Sequence, residues 1–438
     1  MRVLYIHQYF CTRQGRSGTR SYEFSKHLIA RGHHVTMITS TAQLPHLRAA
    51  AGKRLSRFSA DGIDVIAVDV DYAQSMGPLQ RIRSFLRFMC LATWIACRER
   101  RHDVVVATST PLTVGVPGMI ASWVRRMPLV FEVRDLWPEA PIQLGFIRHR
   151  MLIAFLRWFE CLVYRRSTRI VALSPGMRDG VLATGVAAGK IDTIPNCSDL
   201  DRFTPGPVDK RAVPELDLAG AFVVTHAGSM GLANGLDILL DAAAEAQRAG
   251  WTDVRFLVLG EGAEAVNLRV RAAARGLDNV VFAGSVPSAQ VGRYLQASDV
   301  CLVLFHAVPV LGTNSPNKLF DALAAGRPII VNTAGWMREL VQQQGCGLAA
   351  EPGSGESLAR QIGVLRQDAE LRGIMGSKAR LLAEREFDRA ILAQRFERSL
   401  VIAAGLAEAP ARVCGVQGEP APARPSPATT ETIDAARE

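Results

Sequence analysis

Short apolar runs alternate with stretches of helical periodicity along most of the chain. In the first half, a helix is predicted over Tyr22–Ala30, between the first two apolar runs. The predicted strands are Val3–Ile6, Val35–Ile38, Ile63–Val68, Val104–Ala107, Leu129–Val133 and Ile170–Ala172. Buried strands separated by amphipathic helices are typical of a parallel sheet covered by helices on both faces. The pattern therefore predicts a doubly wound α/β domain.

A segment rich in Pro and Asp, Ile194–Asp209, predicts a linker, after which the alternation restarts. The predicted strands of the second half are Phe222–Thr225, Phe256–Leu259, Val280–Phe282, Val300–Leu304 and Ile329–Val331. Its predicted helices are Asn234–Ala249, Ser288–Ala297, Ser315–Ala325, Gly355–Gln367 and Arg389–Ala404. We therefore predict Rossmann-like domains at residues 1–203 and 204–386. A C-terminal helix, residues 387–406, packs back towards the first domain, and residues 407–438 form a disordered tail.

Composition narrows the class of protein. The chain has 438 residues, of which 48% are hydrophobic and 21% charged, and this excludes disorder as its dominant state. Its eight cysteines are scattered without CxxC pairs, which favours free thiols in a reducing cytoplasm over a metal site. The N-terminus predicts a strand and no signal peptide, and no apolar run is long enough to span a membrane. We therefore expect a cytoplasmic protein.

Positive charge is concentrated in the first half of the chain. Residues 1–203 contain 28 basic and 15 acidic residues, whereas the remainder contains 23 basic and 26 acidic residues. Two segments, Leu79–Arg101 and His149–Ser167, mix arginine with large apolar residues at helical spacing. Such helices can lie peripherally on an anionic membrane or simply pack on the sheet, and the sequence leaves both open. The arginines that could meet lipid headgroups are Arg81, Arg83, Arg87, Arg150 and Arg157. No nucleic-acid-binding module is recognisable, so no nucleic-acid partner is expected.

The most informative stretch for chemistry is Gly312–Val331. Ser315 is predicted to cap a helix, with Pro316 in the first helical position. Lys318 follows in the first turn, where the helix dipole disfavours a cation unless an anion such as phosphate is bound. Asp321 lies one turn further on, where its carboxylate could accept hydrogen bonds from sugar hydroxyls. The alternative is an ordinary capped helix with a surface ion pair between Lys318 and Asp321.

Three turns that follow predicted strands add candidate ligand contacts. Gly228 and Gly231 precede Asn234, which is predicted to cap a helix, and Gly15 and Gly18 precede the first helix. The third turn groups charged and aromatic residues, namely Arg134, Asp135, Trp137 and Glu139. Such groups at a strand's carboxyl end favour a substrate pocket. Tight βα turns, and a buried Arg–Asp pair beside a core Trp, are the alternatives.

Taken together, these stretches resemble glycosyltransferase family 4, whose GT-B fold has two Rossmann-like domains facing across a cleft. The resemblance covers about residues 1–404 and rests on the order of SGTRSYEF, FEVRDLWPEAP, HAGSMGLANGLD, LGEG and NSPNKLFDALAAG. RDLWPE together with HAGSMGLANGLD is most similar to a branch that includes L-fucosamine transferases of bacterial surface polysaccharide assembly.

The resemblance implies a nucleotide-diphosphate sugar donor, by family habit a UDP-sugar, and retention of anomeric configuration without cofactor or metal. It implies that the second domain binds the donor and the first a lipid-linked or glycan acceptor, such as a polyprenyl-diphosphate-linked glycan. Lys318 would neutralise the departing diphosphate, Asp321 would bind the ribose, and we expect Asp135 to orient the acceptor hydroxyl. The expected donor contacts are Gly18, Gly228, Ser229, Gly231, Asn234, Glu261, Thr313, Asn314, Ser315 and Asn317, and the expected acceptor contacts are Arg20, Arg134 and Trp137.

Two positions depart from the family pattern. Many members have a glutamate where this chain has Thr313 and a lysine where it has Asn234. The first change removes a contact to the donor sugar, and the second removes a cation from the diphosphate. We read both as traits of the subgroup. A sugar-nucleotide epimerase, a catalytically degenerate membrane-peripheral scaffold and, less well supported, a nicotinamide-dependent oxidoreductase are the alternatives.

Overall fold

The computed structural model describes residues 1–15, 18–44, 55–72 and 76–406. The tail predicted to be disordered, residues 407–438, lies outside the described residues. The described part of the chain contains one eight-stranded and one six-stranded sheet, joined by an irregular linker. The predicted α/β fold of two doubly wound domains is confirmed.

The first sheet has the order β3-β4-β2-β1-β5-β6-β7-β8 and is parallel except for the antiparallel edge pair β3–β4. Its strands are β1 (Arg2–Ile6), β2 (His34–Ser40), β3 (Leu55–Ala60), β4 (Ile63–Val68), β5 (Val104–Thr108), β6 (Leu129–Val133), β7 (Arg169–Ala172) and β8 (Ile191–Thr193). Val3 of β1 pairs with Val35 on one side and Val104 on the other. Because helices cover both faces of the sheet, the central strands are buried and almost entirely apolar.

The helices of the first domain pack on both faces of this sheet. They are α1 (Arg20–Ala30), α2 (Pro78–Arg98), α3 (Gly115–Arg125), α4 (Glu139–Gln143), α5 (Arg150–Arg166) and α6 (Pro175–Ala183). Helix α3 contacts both α2 and α5. Helix α5 is unusual because Val163 and Tyr164 are the only residues of its seventeen that are buried.

The second sheet is wholly parallel, in the order β11-β10-β9-β12-β13-β14. Its strands are β9 (Phe222–Ala227), β10 (Val254–Leu259), β11 (Val280–Gly284), β12 (Val300–Val303), β13 (Ile329–Val331) and β14 (Gly347–Ala349). Its helices are α7 (Asp237–Arg248), α8 (Ala265–Ala274), α9 (Val291–Gln296), α10 (Asn317–Ala324), α11 (Trp336–Gln343), α12 (Gly355–Gln367) and α13 (Ala369–Leu382). This strand order is that of a Rossmann-like domain, in which ligands bind beyond the carboxyl ends of the strands.

The last helix, α14 (Arg389–Ala403), returns to the first domain and packs against α1. Phe396 packs on Phe24 with ring centroids 5.2 Å apart. Glu397 accepts hydrogen bonds from His27 at 3.0 Å and His33 at 2.9 Å. The chain therefore passes from the first domain into the second and returns to the first. The two domains are connected twice, by the linker and by the segment that leads into α14.

Two predicted helix caps are wrong. Helix α10 begins at Asn317, with no side-chain cap, because the Ser315 hydroxyl instead accepts a hydrogen bond from the backbone of Asn196 at 3.1 Å. Helix α7 begins at Asp237, because Asn234 ends a short 3₁₀ turn and Gly235 takes a left-handed conformation with φ of 54°. In both places a tertiary contact or an extra turn displaces the helix start from the position that local sequence favours.

Candidate active site

The carboxyl ends of the two sheets face each other across a cleft of about 290 Å³. Both domains and the linker line it. The lining residues are His7, Tyr9, Gly18, Ser109, Thr110, Arg134, Asp135, Leu173, Asn196, Ser315, Pro316 and Asn317. Predicted donor contacts from the second domain therefore face predicted acceptor contacts from the first.

Gly18 of the first domain and Asn317 of the second lie against each other in the wall of this cleft. A Cβ atom added to Gly18 would lie 2.6 Å from Asn317 Nδ2, closer than van der Waals contact allows. Asn317 is the first residue of α10, where free backbone N–H groups carry partial positive charge. A glycine opposite this helix end lets the backbone of the first domain approach the same ligand.

Further contacts hold the first domain and the linker against the segment that precedes α10. Ser174 donates a hydrogen bond to the carbonyl of Thr313, and the backbone N–H of Val310 donates to Gln143 at 2.9 Å. In the linker, Asn196 Nδ2 donates to the Ser315 carbonyl at 2.6 Å. These hydrogen bonds join the first domain and the linker directly to the second domain.

Lys318 is a cation without a carboxylate partner among the residues the structure describes. Its Nζ atom donates to Asn234 Oδ1 at 2.7 Å and to the Leu304 carbonyl at 3.2 Å, and it lies 4.9 Å from the centre of the Phe305 ring. Burial lowers the pKa of Lys318 to about 7. An uncompensated lysine in such surroundings is suited to receive an anion.

Asp321 lies three residues after Lys318 but is not paired with it. Its nearest cation is Arg202 of the linker, at 3.6 Å. Burial raises the pKa of Asp321 to about 7, with the charge of Asp199 adding to the rise and Arg202 opposing it. The surface ion pair that would make this an ordinary helix is therefore absent from the structure.

The turn after β9 runs beside Lys318. A Cβ atom on Gly228 would lie 3.7 Å from Lys318 Cδ and 3.5 Å from His226 Nε2. Burial, and then the charge of Lys318, lowers the pKa of His226 well below its usual value, so the imidazole is neutral. Asn234 joins this turn to Lys318 because its amide also donates to the Ser229 hydroxyl at 3.1 Å.

Asp135 and Arg134 form the wall of the cleft in the first domain. Thr110 donates a hydrogen bond to Asp135 Oδ2 at 2.6 Å, which leaves Oδ1 available to another group. Burial raises the pKa of Asp135, against the effects of this hydrogen bond and of Arg134. Arg134 approaches His7 Nε2 at 3.2 Å. The wall thus combines an acceptor oxygen with a guanidinium.

Of the predicted site residues, only Gly18, Arg134, Asp135, Ser315 and Asn317 are among those that line the cleft. Arg20 is buried away from it, 2.8 Å from Glu132 and bonded to the carbonyls of Ile194 and Pro195. Trp137 is half-buried and packs on the apolar core.

The remaining predicted donor contacts are spread over the second domain. Glu261 pairs with Arg269 at 2.7 Å, and Gly231 borders the 3₁₀ turn that ends at Asn234. The Thr313 hydroxyl donates to Val310 at 2.7 Å, and the Asn314 carbonyl accepts from the Trp336 indole at 3.0 Å.

Several cleft residues were missed by sequence reasoning. His7, Tyr9, Thr110 and Asn196 of the cleft, and Arg202 beside Asp321, could be recognised only after the fold brought the strand ends and the linker together. The available signal was positional, because His7 and Tyr9 directly follow β1 and Thr110 follows β5. In the described ranges, no group of three His, Cys, Asp or Glu side chains is arranged to bind a metal ion.

Comparison with protein families gives a match for each domain. A model described as "Glycosyl transferase 4-like domain" matches residues 17–197. A model described as "Glycosyl transferases group 1" matches residues 221–368. Both sides of the cleft therefore come from glycosyltransferase domains.

Two curated relatives are named as glycosyltransferases. The chain is 31% identical over 201 residues to a D-inositol 3-phosphate glycosyltransferase of Segniliparus rotundus, covering 44% of this chain and 41% of the relative. It is 26% identical over 208 residues to a Bacillus subtilis protein named as a glycosyltransferase of teichuronic acid biosynthesis, TuaH, covering 46% of this chain and 49% of the relative. The chain therefore spans about half the length of the curated relatives it matches.

Solved structures share the whole fold. HepE of Anabaena, crystallised with UDP and glucose, superposes with a TM-score of 0.67 over 91% of this chain and 98% of its own. The sequences are 21% identical, so the likeness concerns the fold. The predicted GT-B arrangement is confirmed.

Proposed function

We propose that this chain, which has two glycosyltransferase domains in the GT-B arrangement, transfers a sugar from a nucleotide-diphosphate donor with retention of anomeric configuration. The donor sugar is an N-acetylated deoxyhexose and the nucleotide is UDP. The acceptor is a polyprenyl-diphosphate-linked glycan of cell-surface polysaccharide assembly. The name of TuaH, a glycosyltransferase of teichuronic acid biosynthesis, supports the role in cell-surface polysaccharide assembly.

The observation that carries the proposal is Lys318, which has no carboxylate partner among the described residues and lies beside the amino end of α10 and the glycine turn after β9. Breaking the bond between a sugar and a diphosphate builds negative charge on the leaving group. A preoriented ammonium group and free backbone N–H groups stabilise that charge without reorganising. The amino end of α10 lines the cleft through Asn317, next to Gly18 of the first domain, whereas Lys318 and the glycine turn are not among the lining residues.

Retention follows if the acceptor hydroxyl attacks the anomeric carbon on the face from which the diphosphate leaves. The bond between the anomeric carbon and the phosphate oxygen breaks as the new glycosidic bond forms. The departing diphosphate takes the hydroxyl proton, so no protein nucleophile is required. Before the reaction, Asp135 Oδ1 accepts a hydrogen bond from the acceptor hydroxyl and fixes its position; the hydroxyl then turns its proton to the departing phosphate oxygen as the glycosidic bond forms. Domain closure excludes water, which would otherwise compete as acceptor.

A membrane-bound acceptor is supported by the surface of the first domain. Helices α2, α3 and α5 contain nine arginines and one acidic residue, Glu160. They and the adjoining loops expose Leu79, Ile82, Leu86, Trp94, Trp123, Val124, Phe146, Met151, Leu152, Phe155 and Trp158. A basic surface with protruding aromatic and aliphatic side chains matches an anionic membrane interface. Among the residues the structure describes, no helix has the length and apolarity needed to cross a membrane.

The proposal is tested by incubating the protein with radiolabelled UDP-sugars and a polyprenyl-diphosphate monosaccharide, followed by extraction of lipid-linked product. The anomeric proton coupling of that product, measured by NMR, gives its configuration. An α-linked product from an α-linked donor supports the proposal, and inversion contradicts the mechanism. A new free nucleotide sugar formed without acceptor would indicate an epimerase. Absence of any nucleotide-sugar binding in calorimetry would indicate a scaffold.

A further inference from the structure

His7 stands where the first strand opens into the cleft, yet its side chain is almost fully buried. Its Nδ1 atom lies 2.8 Å from the Ser21 hydroxyl and its Nε2 atom 3.2 Å from a terminal nitrogen of Arg134. A guanidinium group has no acceptor, so Nε2 must accept and Nδ1 must carry the proton. The network therefore specifies one tautomer, in which the ring donates to Ser21.

This arrangement requires a neutral imidazole. A protonated ring would place a second positive charge against the guanidinium of Arg134, in a site screened from water. Burial, and then the charge of Arg134, holds the pKa of His7 well below its usual value. His7 thus acts as a hydrogen-bond acceptor and is not a proton donor to substrate.

The Arg134 guanidinium is hydrogen-bonded to His7 but has no carboxylate partner among the described residues. Within the described residues, no carboxylate lies within 4.0 Å of its guanidinium, and its backbone N–H donates to Ser109 at 2.9 Å. Its other terminal nitrogen lies 3.8 Å from the point where a Cβ of Gly18 would sit. That edge of the guanidinium therefore faces the part of the cleft where Gly18 meets Asn317.

We infer that His7 is a positioning residue that holds the Arg134 guanidinium against the cleft, where it binds a phosphate group of a bound substrate. The inference rests on the proposed function. A planar guanidinium can bind two phosphate oxygens at once, which gives direction as well as charge. Arg134 thereby supplies, from the first domain, a cation in addition to Lys318. The diphosphate of the donor and that of a lipid-linked acceptor share this chemistry.

The test is a double-mutant cycle on His7→Ala, Arg134→Ala and the double variant, with UDP affinity measured by calorimetry and the KM of donor and acceptor measured separately. We expect Arg134→Ala to weaken UDP binding about tenfold and His7→Ala to weaken it about threefold, because loss of a charge-assisted contact exceeds loss of its orientation. The double variant should bind UDP no more weakly than Arg134→Ala. His7→Gln, which keeps an acceptor oxygen, should recover most of the affinity.

Two controls separate the outcomes. Arg211→Ala removes an exposed arginine outside the cleft and should leave UDP affinity unchanged. Equal thermal midpoints for all variants exclude unfolding as the cause. A rise in the acceptor KM with unchanged UDP affinity would support the positioning role and assign the phosphate to the acceptor. Additive effects of the two substitutions, or an Arg134→Ala variant with wild-type constants for both substrates, would overturn the inference. Failure of the wild-type protein to bind UDP would instead refute the proposed function.

Discussion

The Nζ atom of Lys318 lies 2.7 Å from Oδ1 of Asn234, the position at which the resemblance to family 4 implies a lysine. The Lys318 ammonium thus reaches, from α10, the place where the resemblance implies a lysine of the turn after β9. A variant that has the lysine at position 234 and none at position 318 should therefore remain functional. Lys318→Met should lower turnover by about tenfold or more, and the double variant Asn234→Lys, Lys318→Met should recover most of it.

Circular dichroism and thermal midpoints would show that each of these variants is folded. Asn234→Lys alone serves as the matched control, since it places two ammonium groups together and should lower stability. A double variant as inactive as Lys318→Met would show that the identity of the side chain matters and not only the site of the charge.

Donor binding should depend on pH in a bell-shaped manner. Burial lowers the pKa of Lys318 and raises that of Asp321, each to about 7. The proposed role of Lys318 at the diphosphate requires its ammonium form, which is lost as the pH rises through this value. The proposed role of Asp321 at the ribose hydroxyls requires its carboxylate form, which is lost as the pH falls through it. Calorimetric UDP affinity should therefore be greatest near neutral pH.

Two substitutions assign the limbs of that profile. Lys318→Arg keeps its charge at all relevant pH values and should remove the alkaline limb. Asp321→Asn cannot titrate and should remove the acidic limb, although with weaker binding overall. A wild-type affinity that is flat across about two pH units on either side of neutrality would show that these groups do not contact the nucleotide.

The contact between α14 and α1 should make stability depend on pH through Glu397. Burial alone would raise the pKa of Glu397, but hydrogen bonds from His33 and His27 hold it below its usual value. A lowered pKa in the folded state contributes stability above the pKa of the unfolded chain, and this is lost as the pH falls through the folded value.

Glu397→Gln should therefore lower the free energy of unfolding by about 1–3 kcal/mol at neutral pH. The difference from the wild type should shrink as the pH falls through the lowered pKa of Glu397, because both side chains are then uncharged. Denaturant unfolding at several pH values measures this, and a constant difference at all pH values would contradict it.

Membrane association should depend on the exposed aromatic side chains of α5, and not on exposed apolar side chains elsewhere on the surface. The wild-type protein should float with vesicles of anionic lipid at low salt and less at high salt, because headgroup attraction is screened. Phe155→Ser with Trp158→Ser should reduce flotation about threefold or more, since aromatic insertion is lost. Val266→Ser with Val270→Ser, two exposed valines on α8, is the matched control and should change nothing. Failure of the wild type to float at low salt would remove this surface from the proposal.

Elements governed by local pattern were predictable from the sequence. The helix Gly355–Gln367 and the strands Leu129–Val133 and Ile329–Val331 have the predicted bounds, because their apolar periodicity is uninterrupted. The start of α10 was not predictable, because the hydroxyl of Ser315 is used by Asn196, 119 residues earlier. Local propensity contains no information about such a distant partner.

The residues of the candidate site likewise fall into those that the sequence predicts and those that only the fold reveals. The predicted phosphate-binding group of Lys318 and the glycine turn does come together, because each part lies at a strand's carboxyl end and the fold brings those ends to one edge. Arg20 is instead paired with Glu132, 112 residues away, and hydrogen-bonded within the protein. His7 was not predicted as a site residue because its role depends on a contact with Arg134, which is 127 residues away. Residue type and spacing locate a site at strand ends, and only tertiary contacts decide which side chains face it.

The central claim is that Lys318 and the amino end of α10 bind the diphosphate of a nucleotide sugar. Calorimetric titration of wild type and Lys318→Met with UDP and with uridine tests it most directly. The variant should lose about tenfold or more in affinity for UDP, while its affinity for uridine, which has no phosphate, changes less than about twofold. Equal losses for both ligands, or an unchanged affinity for UDP in a folded variant, would contradict the claim.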